Sequence, residues 1–239
     1  MVFLAYMNRS GSTLLSRILD GYREIGVTPE AKFPDGICYH GMEVKDEADL
    51  QIYLDQLYSN HKFRSWNLDR KKLATYLSSF GFPLQFKQIF SLVLSQYFRN
   101  DPAEVHIYKS PYVWYIDEVK KTFPESKFLI IKRDIRAIFN SKRKTIDTDT
   151  GTKMGSNPLI EIIYYRKFLR ILNKFSGKEW VHCINYEKMI SQRDKEIKEV
   201  FDFLGIKEVR KAGETNYFEK LSEDQKHIHG NLNKDLLDD

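Results

Sequence analysis

Five short clusters in the sequence combine groups that hold anions or move protons: Asn8-Arg9-Ser10-Gly11-Ser12-Thr13, Thr28-Pro29-Glu30, Lys109-Ser110-Pro111, Lys132-Arg133-Asp134 and Tyr186-Glu187. The first is small and polar, the composition of a loop whose backbone N–H groups wrap an anion. A helix cap at Ser10 or Ser12 is the simpler alternative for that segment alone. Aligned on Gly11, the triphosphate pattern G-x-x-x-x-G-K-[ST] puts Tyr6 at its first glycine and Ser12 at its lysine, so only Gly11 and Thr13 match. The missing lysine is the group that reaches the β- and γ-phosphates. The loop is therefore expected to hold an anion without being built for ATP hydrolysis. In the fourth cluster the apolar run Phe128–Ile131 meets Lys132 and Arg133 before Asp134. A magnesium-holding strand would end on the acid, so this order favours a second phosphate over a metal.

The elements that must position these clusters alternate between strand and helix, the signature of an α/β domain with a mostly parallel sheet. Strands are predicted at Val2–Met7, Glu24–Val27, Val105–Lys109, Lys127–Ile131 and Trp180–Tyr186. Helices are predicted at Ser12–Tyr22, Tyr112–Thr122, Ile135–Lys144, Pro158–Phe175 and Glu187–Leu204, the last stopped by Gly205. Residues 46–99 are expected to be helical, broken at Pro83. Every one of the five strands leads into one of the five clusters. In open α/β sheets ligands bind beyond the carboxyl ends of the strands. The five clusters thus predict one site, with anion-binding groups and a general base on a single rim.

Composition bounds the possibilities. The chain has 239 residues, 42% hydrophobic and 30% charged, enough apolar content for a core and too much for a disordered chain. No apolar run reaches the ~20 residues of a membrane helix, and Met1–Met7 is too short for a signal core. Cys38 and Cys183 cannot make a disulfide framework, so a cytoplasmic, reducing location is expected. Lys132–Lys144 holds six cations and one acid, which accounts for the whole net charge of +5. A focused patch of this kind suits a phosphate-bearing ligand. It has little aromatic interleaving, with Phe139 alone inside it, which argues against nucleic acid. The polar stretch Thr145–Asn157 is expected to be a mobile loop, and the tail after Gly205 lacks periodicity.

Taken together, these motifs resemble the sulfotransferase family that uses 3′-phosphoadenosine 5′-phosphosulfate (PAPS). Arg9-Ser10-Gly11-Ser12-Thr13-Leu14-Leu15 resembles its 5′-phosphosulfate loop. Lys132–Ala137 with Ser141 resembles its 3′-phosphate motif, Arg133 and Ser141 being eight positions apart. Tyr186-Glu187 resembles a pair lining the nucleotide pocket. His227-Ile228-His229-Gly230-Asn231 resembles a nucleotide-closing loop of bacterial members. The nearest pattern is that of protein-tyrosine sulfotransferases and their bacterial relatives. In those enzymes a glutamate 21 residues beyond the loop arginine is the general base, and Glu30 stands there. A Lys-x-Pro lysine stabilises the transition state, and Lys109-Ser110-Pro111 matches it. The pattern departs at Thr145, where an arginine is expected.

The resemblance implies one P-loop-like domain over 1–239, with a helical insert at about 40–100 on the acceptor side. It implies PAPS as donor, PAP (adenosine 3′,5′-bisphosphate) as product and no metal. The acceptor is a hydroxyl whose bearer stays open among the sugars, glycolipids, steroids, phenols and peptide tyrosines that the family sulfates; the tail motif and the missing anchor favour a bacterial carbohydrate or lipid-linked acceptor. Arg9, Ser10, Gly11, Ser12, Thr13, Arg133, Ser141, Tyr186, Gly230 and Asn231 are the implied donor-binding residues, and Glu30 and Lys109 the catalytic ones. A P-loop-type small-metabolite kinase and a non-catalytic nucleotide-binding protein are the alternatives. His106, His182 and Cys183 lie in apolar strands and are expected in the core, as are the aromatics from Trp66 to Phe98. Tyr112, Trp114 and Tyr115 are expected to pack a helix. His40 and His61 have no metal-ligand spacing with either cysteine.

Overall fold

The computed structural model describes residues 1–31, 33, 43–110, 112–146, 151–155, 157–211, 217–221 and 223–228. Its centre is β1 (Val2–Tyr6), buried along its whole length. Around it lie β2 (Ile25–Val27), β5 (Val105–Ser110), β6 (Lys127–Lys132) and β7 (Val181–Asn185), in the order β2-β5-β1-β6-β7 with every pairing parallel. The fold is the expected α/β arrangement. The sheet is buried on both faces, which is why its central strands are continuous apolar runs. Side chains alternate across it. Phe3, Ala5, Phe128 and Ile130 enter one core; Val2, Leu4, Leu129 and Ile131 enter the other.

The second core is closed by α1 (Ser12–Asp20), α9 (Tyr186–Ser191) and α10 (Arg193–Leu204), through Leu15, Leu19, Met189 and Val200. The first core is closed by α6 (Ile116–Thr122), α8 (Pro158–Phe175) and the segment between β2 and β5. That segment holds α2 (Glu47–Ser59), α3 (His61–Arg64), α4 (Arg70–Ser78) and α5 (Phe86–Tyr97). It also holds a small antiparallel pair, β3 (Glu43–Val44) with β4 (Leu84–Gln85), of which β4 falls inside the stretch 46–99 expected to be helical, just after the break at Pro83. Leu54, Trp66, Phe86 and Phe90 pack into the same core as the sheet. The remaining helix of the sheet connections is α7 (Ile135–Lys144), and α11 (Glu223–Ile228) lies in the tail.

Several expectations are corrected. The long last helix is two, α9 and α10, parted at Gln192. The first helix ends at Asp20, and 112–115 is a 3-10 turn leading into α6. Cys183 is an exposed free cysteine on β7, an edge strand of the sheet. Phe80 and Tyr115 are exposed, whereas Trp66, Phe86, Phe90 and Phe98 are core. His106 and His182 are half-buried and stack on Phe98 and Phe203. The tail is anchored despite its lack of pattern: Tyr217 and Leu221 are buried in the second core. At the described ends of the 145–157 stretch, Ile146 bridges Lys153 and Met154 N–H donates to Thr145 O at 3.0 Å.

Candidate active site

The chain reverses its direction of crossing at β1: it passes to β2 on one side and, after β5, to β6 on the other. Such a switch point opens a crevice at the strand ends. Residues 7–11 lie there, and two of them are left-handed. Arg9 has φ 70° and Gly11 φ 94°. At Gly11 only glycine fits, because a Cβ would stand 2.3 Å from the Tyr186 ring. Gly11, and neither serine, is the N-cap of α1, and no side chain caps the helix. Its first N–H groups therefore face the loop with the positive end of the helix dipole. Ser10 is buried, and among the described residues its hydroxyl has no hydrogen-bond partner.

The basic cluster after β6 meets this loop from the other side of β1. Arg133 Nη1 donates to the Arg9 carbonyl at 3.1 Å, and its guanidinium lies 4.1 Å from the Tyr186 ring centroid. Its Nε is buried and has no partner among the described residues. Arg9 Nε donates to Ser141 Oγ at 2.9 Å, joining the loop to α7 across 132 residues of sequence. Burial, and then the neighbouring Arg133, pull the Arg9 guanidinium below its ordinary pKa. Two further contacts fix the turn: Glu187 accepts from Asp134 N–H at 2.8 Å, and Tyr165 donates to the Arg133 carbonyl at 3.0 Å. Arg9, Ser10, Gly11, Arg133, Ser141 and Tyr186 thus form one cationic cradle with two unanswered polar groups.

Glu30 and Lys109 come together on the β2–β5 side. Glu30 Oε1 accepts from Lys62 Nζ at 2.6 Å, and Oε2 accepts from the Tyr6 hydroxyl. Burial opposes its charge, but Lys62, Lys109 and the two hydrogen bonds outweigh it and hold the carboxyl at about 2. Lys109 is fully buried. Its Nζ donates to Thr13 Oγ1 at 2.9 Å and lies 5.8 and 5.9 Å from the Tyr6 and Tyr217 ring centroids. Burial, resisted by Glu30 but aided by Lys62 and Arg9, lowers Lys109 to about 8. Thr28 Oγ1 accepts from Lys109 N–H at 3.1 Å, and Tyr217 donates to the Thr28 carbonyl at 3.1 Å. Thr13, on the first turn of α1, therefore links the cradle to the Glu30 side.

Ten of the twelve residues expected at the site are described, and all ten lie along this rim; Ser12 is the first residue of α1. Gly230 and Asn231 lie outside the described residues. Three participants were not foreseen. Tyr6 is the last residue of β1, two positions before the stretch in which strand-end chemistry was sought. Lys62 sits on α3, 32 residues from Glu30, with no local pattern to mark it. Tyr217 comes from the aperiodic tail. A cavity of about 900 Å³ lies elsewhere, at Glu24, Asn67, Tyr97 and Asp101. Two acids on its wall are already paired, Asp20 with Lys220 and Glu24 with Arg210.

The profile of the Sulfotransferase family matches residues 2–210. The chain belongs to that family. Among solved structures, the sulfotransferase domain from the curacin biosynthetic pathway superimposes with a TM-score of 0.61 at 20% identity, over 93% of this chain and 82% of that one. The sulfotransferase domain of the Synechococcus PCC 7002 olefin synthase gives 0.57 at 18%, over 87% and 74%. A sulfotransferase from Alicyclobacillus acidocaldarius gives 0.51 at 13%, over 92% and 88%. These likenesses concern the fold. Among the described residues of this sulfotransferase no helix is long and apolar enough to cross a membrane.

Proposed function

We propose that this sulfotransferase moves a sulfuryl group from PAPS to a hydroxyl of a carbohydrate or lipid-linked acceptor, leaving PAP, in the cytoplasm of a bacterium. The observation that carries the donor is the Arg9–Ser141 contact at 2.9 Å. It joins two anion-binding segments into one cradle, as a nucleotide with separated 5′ and 3′ anions requires. The residues fit such a ligand. The uncapped start of α1, the Ser10 hydroxyl and Arg133 Nε are donors that find no partner among the described residues and that an anionic ligand would satisfy.

PAPS supplies a sulfuryl group already activated by its phosphate leaving group. The chain's residues then have separable tasks. Arg9, Ser10 and the N–H groups at the start of α1 hold the 5′ end, and Arg133 with Ser141 holds the 3′ phosphate. Lys109, kept rigid by Thr13, offers positive charge toward the bridging oxygen at the start of α1, where negative charge builds. Glu30 accepts the hydroxyl proton. Its two oxygens have about four lone-pair sites, and Tyr6 and Lys62 use two of them, so a third hydrogen bond is available. No metal enters this scheme.

Thermal shift with PAP, and with ATP with and without magnesium, tests the donor, followed by labelled sulfuryl transfer to panels of hydroxyl compounds. Stabilisation by PAP without magnesium is expected. Stabilisation by magnesium-ATP alone, with ATP turnover, would replace the reading with a kinase.

A further inference from the structure

α8 begins as a projection. Asn157 caps it, its side chain accepting from Leu159 N–H at 2.9 Å, and Pro158 occupies its first position. Leu159 is 68% exposed, Ile160 49%, Ile162 44%, Ile163 66% and Tyr164 50%. Within Pro158–Tyr164 only Glu161 is buried, held by Lys142 at 2.6 Å. At 3.6 residues per turn these five side chains spread over roughly 200° of the helix. Beyond them Arg166, Lys167 and Arg170 are exposed, and among the described residues no acid pairs with them. α7, which packs on α8, ends in the exposed Arg143 and Lys144. Trp114 lies between the two kinds of surface, 6.1 Å from the Tyr164 ring and 5.2 Å below Lys167 Nζ.

We propose that the projecting start of α8 docks this protein on an anionic lipid surface. The aliphatic tip enters the acyl boundary, Tyr164 and Trp114 lie at headgroup depth, and the cations meet lipid phosphates. The arc decides against a groove in a partner protein, which takes a narrow stripe of i, i+3, i+4 and i+7 anchors; lipid surrounds what enters it. Charge favours an anionic surface over a second copy, because this face carries Arg166, Lys167 and Arg170 and, among the described residues, no acid paired with them. Tyr165, next in sequence, bonds the Arg133 carbonyl, so the docking surface adjoins the cradle. Delivery of a lipid-linked acceptor to that rim rests on the sulfotransfer reading; docking itself does not.

Vesicle flotation tests it, with phosphatidylcholine alone and with phosphatidylcholine mixed with phosphatidylglycerol. The protein is expected to float with the mixed vesicles only. Ile160→Asp with Ile163→Asp should reduce flotation by ~10-fold or more, and Arg166→Glu with Lys167→Glu should remove the anionic preference. The milder Ile163→Ser, with an unchanged melting temperature, guards against a folding defect. Absence of flotation, or flotation unaffected by the Asp pair, overturns the proposal. So does a concentration-dependent dimer abolished by that pair without vesicle binding. Flotation by a protein that PAP does not stabilise leaves docking standing and removes the donor reading instead.

Discussion

The two ends of the catalytic rim carry their charges in opposite ways. On the β6 side Arg133 keeps a buried unpartnered Nε, Ser10 keeps an unpartnered hydroxyl, and the helix start is uncapped. On the β2 side Glu30 and Lys109 already hold charged or polar partners, and both are shifted far from their ordinary pKa values. A surface left unsatisfied waits for a ligand that brings the missing charge. A surface already balanced suits the proposed tasks of moving a proton and holding a charge that exists only in passing. Changes on the first side should therefore weaken binding, and changes on the second should slow turnover. The sharpest break is Glu30→Gln. Its turnover should fall by ~10²–10⁴-fold, while PAP affinity by calorimetry stays within about twofold, since no cradle contact is lost. A matching loss of PAP affinity would erase the distinction between the two sides.

Arg133→Ala is the converse. Hydrogen bonds to charged groups contribute ~1.5–3 kcal/mol each, so PAP affinity should fall about 10- to 100-fold. Turnover at saturating donor should change far less. Gly11→Ala sharpens the same side without touching a charge. Its Cβ meets the Tyr186 ring at 2.3 Å, and alanine must adopt φ 94°. A loss of about 1–2 kcal/mol of stability by chemical denaturation is expected. PAP binding should weaken with it, because a displaced Tyr186 uncovers Arg133.

The same contrast governs what could be read from the amino-acid order. The cradle is made of contiguous segments whose chemistry is local: a small-residue loop before a helix, two cations at a strand end, a serine eight residues on. Parallel pairing then carries these strand ends to one rim, so the α/β pattern and the rim were legible together. The proton side was legible only where it sits at a strand end. Glu30 and Lys109 were visible there. Lys62 was not, because α3 reaches Glu30 through packing of Phe63 and Trp66 in the first core, and burial of that kind leaves no spacing rule. Tyr217 was hidden for the same reason: it is fixed by one buried ring and one bond to the Thr28 carbonyl. Cys183 was misplaced because an apolar alternation does not say whether a strand is central or at an edge.

The smallest expected effect at neutral pH belongs to Lys62→Met, and it separates two roles for that lysine. The Glu30 carboxyl lies below its ordinary range, at about 2, so the stability it contributes is complete above about pH 4.5 and is lost as pH falls toward 2. Lys109, lowered to about 8, works the other way: its buried charge opposes folding, and stability should rise between about pH 8 and 10.5. In kcat/KM for the donor, the native enzyme should therefore lose activity above about pH 8 and keep it well into acid. Removing the Lys62 charge favours the protonated form of both groups, since that cation lowers each of them. Both limbs should move to higher pH together, while the rate at pH 7 changes by less than about tenfold, Glu30 being still ionised there. Lys62→Arg should restore the native profile. If Lys62 instead served the acceptor, the rate would drop evenly at every pH with both limbs in place. A carbon-13 titration of the Glu30 carboxyl decides between the two without any acceptor, because only a lysine that holds the carboxylate ionised shifts that titration when it is removed.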